Sequence, residues 1–382
     1  MSIRRALSLF AVFGTVVACD RTPLVQPADL QPKMEKPAAP TPPAAPAAAK
    51  DYAEAEPGKS DPDCVGPLEY TAEEKLTLNG KPATLNGYKL TLGTTPAPVI
   101  LGVAACLNDG SPENVKAFEA YASNFKTRGA QAILIDGDSG DNQASIDASL
   151  KAFAKSGLPI LVLIGNREPK GAFSDAVTAL HKEFPNLINL NKVREVDFGG
   201  LTLLSLPGLH DPKYLIAGKD GCQYHSDDLA ALKKLAAGIK GPILLAAHSV
   251  PHQEGALGLD RTAAPAVNAG DPSLTQLLAD AHIGFGVFAN IIEAGGKATN
   301  LKGDQVIPAG TMAESFYLNP GAADVTPWAM NDGSSARGQV ALLQFRDGKG
   351  SYLMIKGSGP LPSALPVPAA APAPGAKPAP AK

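Results

Sequence analysis

Apolar residues recur along this chain in two alternating periods. Predominantly apolar runs at Val99–Ala105, Ala130–Ile135, Leu158–Ile164, Leu201–Leu206, Ile243–Ala247 and Ile283–Ala289 read as strands. Uninterrupted runs of this kind suit strands covered on both faces. Between them, apolar positions fall at helical spacing: Val115, Phe118, Tyr121, Ala122 and Phe125; then Ile146, Leu150, Phe153 and Ala154; then Val177, Leu180, His181 and Phe184. Leu229, Leu232 and Leu235, and later Leu274, Leu277 and Leu278, continue the pattern. Ser111, Pro112 and Glu113 form a helix start, with Ser111 as N-cap. Residues 64–95 instead alternate with period two around Asn79-Gly80 and Asn86-Gly87, which predicts a small β element. Beyond residue 304 only strands are predicted, at Ser315–Leu318, Gln339–Phe345 and Ser351–Ile355. Strands alternating with helices imply sheets with helices on their outer faces, an α/β class.

The two ends of the chain cannot build such a core. Residues 1–18 start with Arg4 and Arg5 and continue into an apolar run to Val17. That run is shorter than the ~20 residues needed to span a bilayer, and it reads as a signal peptide. It ends in Val16-Val17-Ala18-Cys19, which resembles the lipobox of bacterial lipoproteins. The resemblance implies cleavage before Cys19 and acylation there, with each buried CH₂ adding ~0.8 kcal/mol of membrane affinity. The alternative is an ordinary cleaved leader with a free thiol. Asp20 resembles an inner-membrane retention signal of enteric bacteria, a rule that does not transfer to all lineages. Residues 19–62 and 358–382 are rich in Pro and Ala, the composition of extended linkers. Roughly forty such residues reach ~100 Å. The folded body is then expected over 63–357, with 63–97 as an N-terminal β extension. Localisation is expected in a bacterial cell envelope, on the inner or outer membrane. A net charge of −3 with signs mixed and no basic block points away from nucleic acid. In an oxidising compartment, Cys64 and Cys222, both in turn-rich sequence, are expected to pair, with buried free thiols as the alternative; Cys106 has no evident partner.

In doubly wound folds ligands gather at the carboxyl ends of strands. The residues just after the strands are Cys106-Leu107-Asn108-Asp109, Asp136-Gly137-Asp138-Ser139-Gly140-Asp141, Gly165-Asn166-Arg167-Glu168, His248-Ser249, Ala289-Asn290-Ile291-Ile292 and Asn319-Pro320-Gly321. This series resembles the calcineurin-like metallophosphoesterases, whose motifs run D-x-H, GDxxD, GNH[DE], a lone His, GHxH and often N-P-G. The resemblance covers residues 98 to 357. It implies two mixed β-sheets packed as a sandwich with flanking helices. It also implies a site where two metal ions bind phosphate oxygens and generate a hydroxide.

Only part of that site carries over. Asp138 matches the bridging carboxylate, Asn166 the amide ligand and His248 the lone histidine. D-x-H aligns with Cys106 and Asn108, or after a two-residue shift with Ala104 and Cys106. GHxH becomes Asn290 and Ile292, and the catalytic His of GNH[DE] becomes Arg167. Ile292 has no lone pair. Asn108 and Asn290 offer neutral amide oxygens, and Cys106 would have to ionise before binding zinc. One position keeps Asp138, Asn166, His248 and a weak Asn290; the other keeps Asp138 and little else. The expected cofactor is none or one divalent ion (Mn, Zn or Fe), not a dinuclear centre. Arg167 is expected either to pair with Asp138 in place of a cation or to face solvent. Among other candidates, His225, Asp227 and Asp228 suit helix capping, and His252 a loop role. Ser249 lacks a G-x-S-x-G elbow. Three functions follow: a degenerate phosphoesterase that binds a protein or small anionic ligand, a hydrolase with a single metal, or a structural envelope lipoprotein.

Overall fold

The computed structural model describes residues 54–59, 61–93, 98–263 and 266–357. Every described residue belongs to one compact unit. The leader, Cys19 and the Pro/Ala-rich tail 358–382 lie outside the described residues. No described helix is long and apolar enough to cross a membrane.

Three short strands open the body: β1 (Glu74–Leu78), β2 (Lys81–Asn86) and β3 (Lys89–Leu92). A parallel strand–helix series follows: β4 (Val99–Ala104), α1 (Pro112–Thr127), β5 (Ala132–Asp136), α2 (Gln143–Ala154), β6 (Ile160–Leu163), α3 (Lys170–Glu183) and β7 (Leu187–Asn189). Next come β8 (Glu195–Asp197), β9 (Thr202–Leu206), α4 (Ser226–Ala237), β10 (Ile243–Ala247), α5 (Pro272–Asp280) and β11 (Phe285–Val287). The last part holds β12 (Lys297–Thr299), β13 (Val306–Ile307), β14 (Phe316–Asn319), the small ribbon β15 (Trp328–Ala329) and β16 (Ser335–Ala336), and the hairpin β17 (Gln339–Arg346) and β18 (Lys349–Lys356).

Apart from the β15–β16 ribbon, these strands form two mixed sheets. One has ten strands, ordered β1-β2-β3-β8-β9-β10-β11-β14-β12-β13; the other has six, ordered β18-β17-β4-β5-β6-β7. Alternate residues of each strand explain why they face one another. Leu101 and Val103 of β4, Leu134 of β5 and Leu161 of β6 pack with Leu203, Leu244, Ala246 and Val287 of the other sheet. Their neighbours Ala104, Ile133, Ile135 and Val162 point outward to Phe118, Phe125, Leu150 and Val177 on α1, α2 and α3. Leu204 and Leu245 likewise meet Leu232, Leu274 and Leu278 of α4 and α5. Burying both faces of a strand requires the continuous apolar runs seen in the sequence. The result is the sandwich of two mixed sheets with flanking helices that the metallophosphoesterase resemblance implies.

Ser111 caps α1, its hydroxyl accepting from the Asn114 N–H. Gly102 lets α1 approach β4: a Cβ there would lie 2.5 Å from the Phe125 ring. The N-terminal β extension joins the main sheet, because β3 pairs in parallel with β8 and so extends the ten-stranded sheet. The packed body also begins before Asp63, inside the stretch expected to be linker. Ala55 is buried, Glu56 O accepts the Ser226 N–H, and Asp61 pairs with Lys170 at 2.6 Å.

This entry segment is held covalently. Cys64 and Cys222 are joined in a disulfide across a sequence separation of 158 residues. Nearby, the buried Arg194 guanidinium donates to the Ser205 and Gly66 carbonyls. Closing so long a loop restricts the unfolded chain strongly in the chain-entropy picture. Cys222→Ser should lower stability by about 2–4 kcal/mol. The check is the urea midpoint with and without reductant: reduced wild-type protein should fall to the variant's value.

Candidate functional site

The strands β4, β5 and β6 run in parallel, and β10 faces them from the second sheet. The loops leaving their carboxyl ends therefore meet at one edge. Backbone bonds stitch these loops together. Cys106 N–H donates to Gly137 O (3.1 Å) and Asn108 N–H to Asp138 O (2.8 Å). The buried Glu168 carboxylate accepts from Ser139 N–H and, at 3.0 Å, from Gly165 N–H. Such tight turns need unusual backbone. Cys106, Asn108 and Asp138 all adopt positive φ, at 48°, 61° and 57°, which non-glycine residues seldom do outside constrained sites. The motif glycines have a steric reason. A Cβ on Gly137 would lie 2.5 Å from His248 Nδ1, and one on Gly165 would collide with Asp138 Oδ1.

Asp138 sits at the centre. Its Oδ1 accepts the backbone N–H groups of Asn166 (3.1 Å) and Arg167 (3.0 Å) and lies 3.3 Å from His248 Nε2. His248 is fully buried. Its Nδ1 is 2.7 Å from the Asp136 carbonyl, and its Nε2 is 3.0 Å from Asn166 Oδ1. The Asn166 orientation is fixed, because its amide nitrogen donates to Tyr214 O at 2.7 Å. Cys106 completes the group: ligand atoms of Cys106, Asp138 and His248 lie within 4.8 Å of one another.

This donor set fits one metal ion. The Nδ1–H bond to a backbone carbonyl is the arrangement that orients metal-binding imidazoles, leaving Nε2 free to ligate. Asp138, His248, the Asn166 amide oxygen and the Cys106 sulfur could hold the ion. The same geometry has a metal-free solution. Both ring nitrogens face oxygen acceptors, so a doubly protonated His248 also satisfies every contact. Burial by itself would lower the His248 pKa, but the Asp138 carboxylate more than reverses this and raises it to about 9. Burial likewise opposes ionisation of Asp138, yet the charge and hydrogen bond of His248 hold its carboxyl below the ordinary value.

Ile292, which the resemblance aligns with a further ligand position, lies in apolar surroundings. Ile292 packs with Ala105, Cys106, Ala289 and Ala322 in a small buried cluster against Trp328. The Asn108 amide nitrogen donates to Asp324 Oδ2 (3.0 Å) and Cys106 O (3.1 Å), and its amide oxygen is buried without a hydrogen-bond partner. Trp328 Nε1 donates to the other oxygen of Asp324 at 2.9 Å. Asn290 lines a neighbouring cleft with Asn166. The Cys106 thiol is pushed well up by burial, then by Asp138 and the carboxylates around it.

Arg167 requires a correction. Its guanidinium pairs with Asp141, Nη1 to Oδ1 at 2.8 Å, rather than with Asp138. Only its backbone N–H reaches Asp138. The reason is reach: the N–H groups of the tight turn occupy Asp138 Oδ1, and the side chain leaves the turn toward the second motif aspartate. The group beside Asp138 is the His248 imidazole, 3.3 Å away.

Two residues escaped the sequence reading. Asp136 is fully buried, neither carboxyl oxygen has a hydrogen-bond partner, and burial pushes its pKa up to about 7 against the opposing charge of His248. It precedes the Gly-Asp motif and looks like the end of an apolar strand. Asp324 fixes Asn108 from a separation of 216 residues, a pairing with no local signal.

The sequence matches no protein-family model, and a search of curated proteins finds no relative. Similar solved structures exist. TT1561 of Thermus thermophilus has 14% identity and a TM-score of 0.44, covering 67% of this chain and 98% of that one. A dimetal phosphatase from Danio rerio has 9% identity and a TM-score of 0.42, covering 68% and 98%. The purple acid phosphatase PPD1 of yellow lupin has 10% identity and a TM-score of 0.45, covering 75% and 59%. With TM-scores below 0.5, these likenesses lend no residue role to this chain.

The buried ion pair has a pH signature in metal-free protein. The folded pKa of His248, about 9, exceeds its ordinary 6.5. Its contribution is therefore complete below pH 6.5 and lost as pH rises through 9, on the order of 3 kcal/mol. Urea midpoints measured across this range should fall for the wild type and stay flat for His248→Asn. A flat wild-type profile would show a neutral imidazole.

Proposed function

We propose that this protein is a lipid-anchored lipoprotein of a bacterial envelope whose phosphoesterase-like domain binds a small anionic ligand or a protein partner and has lost two-metal hydrolysis. The observation that carries this reading is the apolar packing of Ile292, Ala105, Ala289 and Ala322 where a second cation would be held. Two-metal catalysis clamps both the attacking and the leaving oxygen, and a site with one cation lacks that symmetry. The group at the position of the family's catalytic histidine is Arg167, a guanidinium that stays protonated and is paired with Asp141. It can attract an anion but cannot cycle a proton at neutral pH. Anchoring through Cys19 and the extended linker supports placement of the body some distance from a membrane surface.

A second reading is favoured by the orientation of His248. Its Nδ1 contact to Asp136 O and the inward-facing Asn166 oxygen are suited to one ion held with Asp138. Bound there, the ion would polarise a phosphoryl oxygen. Asp138, Asn166 and His248 would position it, and the bare Cα atoms of Gly137 and Gly165 let these side chains come close.

Elemental analysis of protein purified without chelator or affinity metal separates these readings. No more than one metal per chain is expected, with hydrolysis of bis(p-nitrophenyl) phosphate at background in added Mn or Zn. Turnover with one metal, abolished in Asp138→Ala, would establish the second reading. Two metals per chain with turnover would remove the first altogether.

A further inference from the structure

We propose that the cleft beside Asn166 is a subsite for the apolar part of an organic phosphate, walled by Tyr214, Ile216 and Ile291. The inference deepens the proposed function and rests on its reading that the domain binds a small anion. The cleft has a volume of about 400 Å³, enough for an aromatic ring or a short acyl chain.

Its position ties it to the site. Asn166 forms a shared wall: its amide oxygen lies 3.0 Å from His248 Nε2, while its amide nitrogen donates to Tyr214 O. Its backbone carbonyl accepts the Ile216 N–H at 2.9 Å. A ligand whose charged end reaches the loops of Asp138 and Asn166 therefore has its remaining bulk directed along the loop of residues 212–221.

That loop is built to hold a shape while leaving apolar groups uncovered. The Asp211 carboxylate caps the turn at Pro212–Tyr214, accepting the Lys213 N–H at 3.0 Å. The disulfide at Cys222 fixes its far end. Yet Tyr214 is 40% and Ile216 59% exposed. Single exposed apolar residues are ordinary, but two from one short, braced loop lining one cleft form a contiguous apolar wall. Covering such a wall with a ligand's hydrocarbon removes it from water.

Charge selects the kind of ligand. Lys213 also lines the cleft, its ammonium 4.8 Å from the centre of the Tyr214 ring and 3.0 Å from Asp211. A half-exposed cation beside an apolar wall suits an amphipathic anion. Even while paired with Asp211 the ammonium stays about half exposed and within reach of a ligand's anionic oxygen, whereas inorganic phosphate would leave the wall wet.

Isothermal titration of the full chain in manganese-containing buffer tests this, with phenyl phosphate and inorganic phosphate as probes. Phenyl phosphate should bind at least about tenfold more tightly. Ile216→Asp and Tyr214→Ser should each remove that advantage and leave inorganic phosphate unchanged. Both side chains are exposed, so unfolding midpoints should match the wild type. Val306→Asp, at an exposed apolar position outside the cleft, should keep the full advantage. Equal affinities for the two probes, or an advantage that survives in both cleft variants, would overturn the subsite alone. Binding of neither probe would remove the anion-binding reading and the subsite with it.

Discussion

A carboxylate buried as deeply as Asp138 has to be matched by positive charge or by N–H donors, because ionised oxygen is very costly to remove from water unpaired. The loops of this edge are arranged around that requirement. Two backbone N–H groups from the Gly-Asn turn point at Asp138 Oδ1, and His248 approaches from the facing sheet. The positive φ of Asp138 and the bare Cα atoms of Gly137 and Gly165 are what let these groups come so close. A metal ion and a protonated imidazole are two answers to the same electrostatic demand.

The neighbouring cluster needs no such charge balance. There Ile292 packs with alanines, and the Asn108 amide nitrogen donates to Asp324. Apolar replacement of a charged cluster is commonly neutral or stabilising, since no desolvation penalty remains. The Asp138–His248 group differs in that removing either partner would strand a buried charge.

The frame also constrains how the chain arrives. Residues 54–64 run along the body through Asp61–Lys170, Glu56–Ser226 and the Cys64–Cys222 bond. That bond ends the braced loop over Asn166, so the entry segment and the cleft wall share one anchor. The loop holds Tyr214 and Ile216 in place although neither is buried, which an unsupported loop would do only at a cost in conformational entropy.

Much of this was legible in the residues themselves. Apolar periodicity located the long strands and helices, since strands covered on both faces and helices covered on one leave distinct patterns. Gly-Asp and Gly-Asn turns marked Asp138 and Asn166, because close backbone approach demands glycine at particular positions. Ile292 marked a position that cannot ligate a metal, as a hydrocarbon cannot donate an electron pair. Short strands such as β8 and β12 were not legible, because three residues carry too little period. Nor were the partners of Arg167, Asn108 and His248. Which carboxylate a side chain meets depends on where distant loops cross, with His248 and Asp136 separated by 112 residues and Asn108 and Asp324 by 216. Sequence thus determined which chemical groups stand at the strand ends, whereas tertiary structure decided which of them share a buried space and so which charges must answer one another.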